Sequence, residues 1–505
     1  MSSSPPIPSH RWIFGPTADL PLVLLTPLLA LGVFAVGRTL GFGEGLIAAG
    51  FALSIAHYLP GMLRAYGDRE IFARFRLRLL AAPVVFVGAC VAAAWASLQV
   101  LELLVMFWGP WHWLMQTYGF ARIYDARAGR VDHTTARLDH ALIVLGFGAA
   151  LLATGSFSNY LRDVYNLGAP VLPAGGIALL RGTWLAATAI VFALYVANAI
   201  RATRRGEPPS PQKLWLLAIT LPFFAFTASF VQRPLEGYVL FEICHDVQYL
   251  ALVWTINRNR VERDAGTDAG RLMRFLFRPH LGLVLAYLGL CFAFGATGHV
   301  YRTWIDDPAL QRIALSTISA MALLHYYLDG FIWKIREPAN QASLDLAVRP
   351  IEPGSPVDPL RRLFSAGWVS HAVLWLVVAI PLGWLSVVEL RGQRTDARAI
   401  ERHLAGMFPR AALPHFHLCR DLLDTRELAE AQRHCELALE LSPGWATVHN
   451  NLGVVVAQQG DLARAERELR RALQLDPGYV QARGNLERLL AERRRRAALG
   501  ATEGR

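Results

Sequence analysis

LLAAPVVFVGACVAAAWASLQVLELLVMFWGPWHWLMQTYGF, residues 79–120, carries a single charged residue, Glu102, along its whole length. A helix needs about 20 apolar residues to cross the hydrocarbon core of a bilayer. One helix over this run would far exceed a membrane, so the run reads as two spans, 79–97 and 98–121, divided near Ser97–Gln99. The same criterion finds further spans at 19–38, 45–66, 139–157, 178–200, 213–231, 235–256, 280–299, 312–333 and 366–388. The expected fold class is all-α: a polytopic membrane helical bundle of about eleven transmembrane helices, with a short α-solenoid after it.

Composition agrees. Of 505 residues, 54% are hydrophobic and only 18% charged, whereas soluble domains average about 25% charged. The net charge of +11 does not mark a nucleic-acid partner. The basic residues fall in bursts between apolar runs, not in one basic domain with interleaved aromatics. The partner they imply is the lipid bilayer.

Those bursts also orient the chain, because cytoplasmic loops collect Lys and Arg. Loops after the second, fourth, sixth, eighth and tenth spans open with Arg64, Arg122, Arg201, Arg258 and Lys334, each followed by further basic residues. The alternate loops hold only scattered ones such as Arg38 and Arg162. The reading is a cell-membrane, multi-pass protein with a cytoplasmic N-terminus and an extracytoplasmic C-terminal domain. Residues 1–18 are rich in Pro and Ser and lack the apolar core and cleavage site of a signal peptide, so the first span is retained as an anchor. The expected organisation is a tail over 1–18, a membrane domain over 19–390, a connecting helix over 394–411, a repeat domain over 412–496 and a tail over 497–505.

Ionisable groups inside spans cost roughly 2.5–3.5 kcal/mol each on insertion scales and call for a reason. Four histidines sit there: His57 in the second span, His112 in the fourth, His245 in the eighth and His325 in the tenth. All four spans run in the same direction. The next basic residue follows each histidine by roughly 10–20 Å at about 1.5 Å per residue, which puts the imidazoles at one depth. Gln116 and Asp329 follow His112 and His325 by one helical turn, as Gln248 and Tyr249 follow His245. That spacing suits hydrogen-bonding partners that fix an imidazole tautomer. Glu242, His245 and Asp246 make the eighth span the most polar. Glu242-x-x-His245 has the spacing that carboxylate di-iron bundles use twice, and it occurs once here.

The functional reading is a buried metal site with ligands His57, His112, His245 and His325. Its metal is a transition metal, iron first, with copper, zinc or haem as alternatives. Asp246, Asp329 and Glu242 are the candidate catalytic carboxylates, supplying charge balance or a general base. Gln116, Gln248 and Tyr249 form the surrounding shell. Against it stands the reading in which each histidine merely packs and satisfies a neighbour. Trp108, Trp111, Trp113 and Tyr118 line a ligand cavity or serve as interfacial anchors. His415, His417, His434 and His449 in the C-terminal region read as solvated surface.

That region contains an internal repeat with a period of about 34 residues. Leu452, Gly453, Ala465, Leu469, Ala472 and Pro477 recur one period earlier as Leu418, Cys419, Ala431, Cys435, Ala438 and Pro443. The pattern resembles the tetratricopeptide-repeat family over roughly 412–496, with two repeats and a final helix at 480–496. The resemblance implies a scaffold that binds a protein or peptide partner. Cys419 stands where the repeat has glycine, and with Cys435 it forms either a disulfide or two buried thiols.

The membrane part is loosely similar to bacterial membrane carotenoid-cleaving dioxygenases, which also spread iron-binding histidines over several helices. The local motifs do not match, so no substrate is carried over. The first functional expectation is an oxidative membrane metalloenzyme acting on an apolar small molecule. The alternatives are a proton- or ion-coupled transporter and a non-catalytic anchor that presents the repeats. Metal content separates the first from the second.

Overall fold

The computed structural model describes residues 11–40, 43–96, 99–130, 132–230, 234–263, 270–335, 338–346, 367–392 and 396–503. These residues are almost entirely helical and contain no strand. Six helices are long and apolar enough to cross a membrane: Gly45–Gly67, Arg69–Trp95, His133–Ala153, Ala174–Arg204, Glu236–Arg263 and Leu281–Gly298. A seventh is reached if the pair Pro16–Leu24 and Thr26–Thr39, bent by 61°, counts as one span. The bend has a local cause. Pro21 and Pro27 lack backbone N–H groups, and Leu20–Leu24 between them is π-helical.

Eleven spans are therefore met only in part. The runs expected at 98–121, 213–231, 312–333 and 366–388 are helices too: Val100–Arg127, Pro211–Phe230, Pro308–Ile332 and Gly367–Leu390. They are not among the six, and of the last only Ile380–Leu390 counts, as a shorter apolar helix. The long run at 79–120 divides as its length requires, with one helix ending at Trp95 and the next starting at Val100. The first of these begins at Arg69, ten residues ahead of the expected span.

Apolar side chains cover much of the outer surface. Leu77 and Leu281 are 84% and 73% exposed, and Leu179, Val84 and Ile190 also point outward. A soluble monomer rarely exposes contiguous apolar surface on this scale, whereas hydrocarbon accommodates it.

Loops segregate to two ends. At one end, Arg64 donates to Asn257 (3.2 Å) and to Asn340, Arg260 pairs with Asp68, and Arg127 donates to the Leu344 carbonyl (2.7 Å). Lys213 bonds Asp125 at 2.7 Å, and Arg122 joins both Asp125 and Asp139. Arg64, read from the sequence as a loop charge that signals topology, is fully buried in these networks, as is Lys213. Buried charges need such partners, since an isolated one would cost several kcal/mol. Here too the backbone N–H groups of Ile13 and Phe14 bond the Asp19 carboxylate, so the described part of the expected N-terminal tail packs on the body.

The opposite end carries the C-terminal helices. Arg38 pairs with Glu236 at 3.3 Å, Glu389 accepts from the Gln99 N–H at 2.8 Å, and Ser156 donates to the Ala228 carbonyl. The helix Ala397–Met407 packs on Phe157–Asn166 through Leu161, Tyr165, Ile400, Leu404 and Phe408. Arg162 also contacts His417 across 3.3 Å. The repeat helices are Ala412–Asp424, Leu428–Leu441, Ala446–Gln458 and Leu462–Leu475. The final helix runs from Val480 to Glu503, through most of the tail expected at 497–505.

The helix pairs pack closely because small residues face each other at Ala431, Ala438, Ala465 and Ala472, all buried. Gly453 lies against Leu469 and the Ala465 carbonyl, where a Cβ would force the side chain aside. One period earlier this position is Cys419, disulfide-bonded to Cys435 with Cα atoms 5.0 Å apart. Not all the C-terminal histidines are solvated surface: His415 is buried, with Nδ1 2.9 Å from Nδ1 of the half-buried His434, and His417 Nδ1 lies 2.7 Å from Glu401. They link neighbouring helices, a role that only the paired geometry reveals.

Candidate metal centre

His57, His112, His245 and His325 meet in the interior. Each offers a ring nitrogen, and the four nitrogens all lie within 4.8 Å of one another. His57 stands between two helices of its span: Gly43–Ala56 ends before it and Tyr58–Gly67 begins after it. Pro60 has no N–H to bond the carbonyl of Ala56, so Gly45–Gly67 lacks one hydrogen bond of its ladder beside His57, whose backbone stays near helical. His112, His245 and His325 stand within uninterrupted helices.

His57 Nε2 is 3.0 Å from His325 Nε2, which is 3.1 Å from His112 Nε2. The His245 ring centroid lies 5.0 Å from His57 and 4.8 Å from His112. Neither nitrogen of His245 has a hydrogen-bond partner, and His325 Nδ1 has none. Leaving a buried polar atom unsatisfied costs about 1–3 kcal/mol, so nitrogens facing one another without partners ask for a shared ligand. Imidazole nitrogens bind a metal at about 2.0–2.1 Å, which sets neighbouring ligand nitrogens about 2.9 Å apart at right angles and about 3.4 Å at tetrahedral angles. The His57–His325 and His325–His112 distances, 3.0 and 3.1 Å, fall in that interval. A haem would hold two axial nitrogens about 4 Å apart on opposite faces of a porphyrin. Imidazoles in mutual contact leave no space for one, so the residues fit a bare ion and not haem.

Carboxylates flank the cluster on two sides. Asp329 Oδ2 is 3.7 Å from both His112 Nε2 and His325 Nε2. Its Oδ1 accepts from the Tyr249 hydroxyl (3.0 Å) and from Trp333 Nε1 (2.9 Å). Asp246 Oδ1 lies 2.7 Å from His57 Nδ1. Glu242 groups with His57 and Asp246, not with His245, so the Glu242-x-x-His245 spacing does not act as a ligand pair. The side chains of Ser54 and Tyr238 bond Glu242.

The glutamines differ from the expected arrangement. Gln116 Nε2 donates to the backbone carbonyl of His245 (3.0 Å) and to Gln248 Oε1 (3.2 Å), and Gln248 Nε2 donates to the Val23 carbonyl (2.8 Å). They tie helices together, and their recorded partners are backbone carbonyls and each other, not imidazole nitrogens. Tyr249 does lie at the cluster, its ring 5.3 Å from His325 and 5.5 Å from His57. Tyr58 and Tyr326, not singled out in the sequence, pack at 5.0 Å from His325 and 4.9 Å from His112. Their position next to the histidines in sequence was the available signal.

A cavity of about 890 Å³ reaches the cluster at His112, Tyr249, Tyr326 and Asp329. It follows one face of the helix Val100–Arg127 through Trp108, Trp111, Met115, Gly119, Arg122 and Ala126, and ends among Arg130, Asp132 and Lys334. Trp108, Trp111 and Tyr118 line it as expected, whereas Trp113 is stacked on Phe241 at 5.0 Å outside it. The side chains of His299 and His371 lie outside the described residues.

No curated protein matches the chain as a whole. Residues 446–479, the second expected repeat, match the tetratricopeptide repeat family, and the membrane part matches no family. The C-terminal region therefore contains a tetratricopeptide repeat.

Proposed function

We propose that this chain is an integral membrane metalloenzyme that oxidises an apolar, lipid-borne substrate and binds a protein partner through its repeats. The observation that carries this reading is the convergence of four buried imidazoles, two of whose nitrogens on His245 have no other partner. Imidazole-rich ligation suits iron, copper or zinc. Iron or copper, when bound, supplies dioxygen chemistry.

The chain's own residues supply the remainder. Asp329 is held by Tyr249 and Trp333, which fixes its second oxygen toward the cluster. That oxygen is placed to accept a proton at the cavity wall. Trp108, Trp111 and Tyr326 exclude water and offer an apolar surface to a substrate. The cavity has the size of a small-molecule site, roughly 300–1,000 Å³, and its aromatic lining favours a long apolar molecule that leaves the bilayer to enter it. The basic end, with Arg122 and Arg130, faces the cytoplasm on the positive-inside rule. The repeat domain then lies outside, an orientation that suits its disulfide. A reporter fused after Leu390 that is active only in the cytoplasm contradicts this orientation.

The oxidative step is tested with purified protein in nanodiscs, loaded with ferrous iron and supplied with lipid extract from its host. Dioxygen uptake that depends on the extract and is lost in His325→Ala supports the reading. Full metal occupancy without lipid-dependent uptake sinks it and favours an ion- or proton-coupled role.

A further inference from the structure

His57 belongs to two groups at once. Its ring lies among the other three imidazoles, and it also groups with Glu242 and Asp246, whose ligand atoms lie within 4.8 Å of its own. We propose that His57, Glu242 and Asp246 hold a second cation, so that the His57 ring bridges two metal ions. The proposal rests on the imidazole cluster being a metal site.

All three side chains are buried, with exposures of 1%, 1% and 0%. Both oxygens of Asp246, Oε2 of Glu242 and Nδ1 of His57 lack hydrogen-bond partners. His57 Nδ1 stands 2.7 Å from Asp246 Oδ1, but the contact is not directed as a hydrogen bond. A carboxylate that merely orients a ligand histidine accepts its N–H along the bond. Here the nitrogen and three carboxylate oxygens crowd together, with Ser54 and Tyr238 bonding Glu242 and the Glu242 and Asp246 carboxyl groups against each other.

Electrostatics sharpens the point. A buried ionised carboxylate without a counter-charge costs several kcal/mol, and two neighbouring ones repel each other in addition. Among the described residues, the charged neighbours recorded for Glu242 and Asp246 are each other and His57, with no Lys or Arg among them. A cation supplies the missing charge. The donor set of two carboxylates and one imidazole suits a divalent iron, manganese or zinc ion. Binding at both ring nitrogens requires that His57 release its remaining ring proton to water as the second ion enters. With the carboxylates of Glu242, Asp246 and Asp329, that imidazolate balances two divalent cations.

The test is stoichiometry in the full-length protein. Protein in nanodiscs is stripped with chelator, reloaded with cobalt(II) and freed of excess metal before elemental analysis. The expected ratio is two cobalt ions per chain, falling to one in Asp246→Asn and in Glu242→Gln. Magnetic coupling between the two ions is expected in the wild type and lost in both variants. A ratio of one in the wild type, or two retained in both variants, overturns the second site and leaves the imidazole site standing. A ratio of zero removes both.

Discussion

His57 Nε2 and His325 Nε2 face each other at 3.0 Å although 268 positions separate them in the chain. His112 Nε2 lies 3.1 Å from the same His325 nitrogen. One ring nitrogen cannot serve both neighbours as donor and acceptor at once, and His245 has no partner for either nitrogen. Without a shared ligand the helices carry this misfit directly.

Metal therefore stabilises the fold. Ligand at about 100 times its dissociation constant adds about 2.7 kcal/mol. Chelation lowers the thermal midpoint of the wild type, and resupplied metal restores it. His245→Ala does not respond to either. The buried thiols of Cys90, Cys244 and Cys291 allow unfolding to be followed by a thiol-reactive dye.

Gly295 on the helix Leu281–Trp304 lies against the backbone of Gly43–Ala56, and a Cβ there would overlap the carbonyl of Ala52. That helix delivers His57. Gly295→Val should destabilise by about 1–3 kcal/mol, as overpacking does, and should lower metal affinity. Gly289→Val, at a position with open space, is the control. Equal metal binding in both variants contradicts the coupling of helix packing to the site.

The bond between Cys419 and Cys435 spans 16 positions. Closing a loop of this length removes about 3 kcal/mol of unfolded-state freedom in the chain-entropy account. Cys435→Ser should make the repeat helices markedly more sensitive to protease. In intact cells, alkylation of these cysteines should require prior reduction. Labelling without reductant contradicts the bond.

The repeat region also responds to pH. Burial and the facing His415 lower the pKa of His434 from 6.5 to about 4, against the opposing pull of Glu430 and with Arg433 and Arg402 nearby. Burial lowers His415 as well. The unfolded chain then binds more protons than the folded one between about pH 6.5 and 4, so stability is present above that window and is lost as pH falls through it. Thermal unfolding followed in that range should show a slope that His434→Gln flattens. An unchanged slope contradicts the assignment.

The fold and the site were legible to different depths. Apolar run length revealed the division near Ser97–Gln99, and the depth of the four histidines followed from their helix direction. Arg64 misled because positive charge at a span end looks the same whether it meets water or a buried carboxamide. Gln116 and Gln248 misled because spacing along one helix does not report which groups neighbouring helices bring within reach, here the carbonyls of His245 and Val23. Asp246 and Glu242 stood next to His245 in sequence, yet in space they serve His57 on another helix.

The most direct measurement is the metal content of the protein purified from metal-supplemented cells, with His245→Ala prepared in parallel. The account predicts at least one equivalent of iron or another transition metal in the wild type. It predicts a loss of at least tenfold in the variant, with its helical content unchanged. A wild type without metal, or a His245→Ala protein that keeps it in full, contradicts the account.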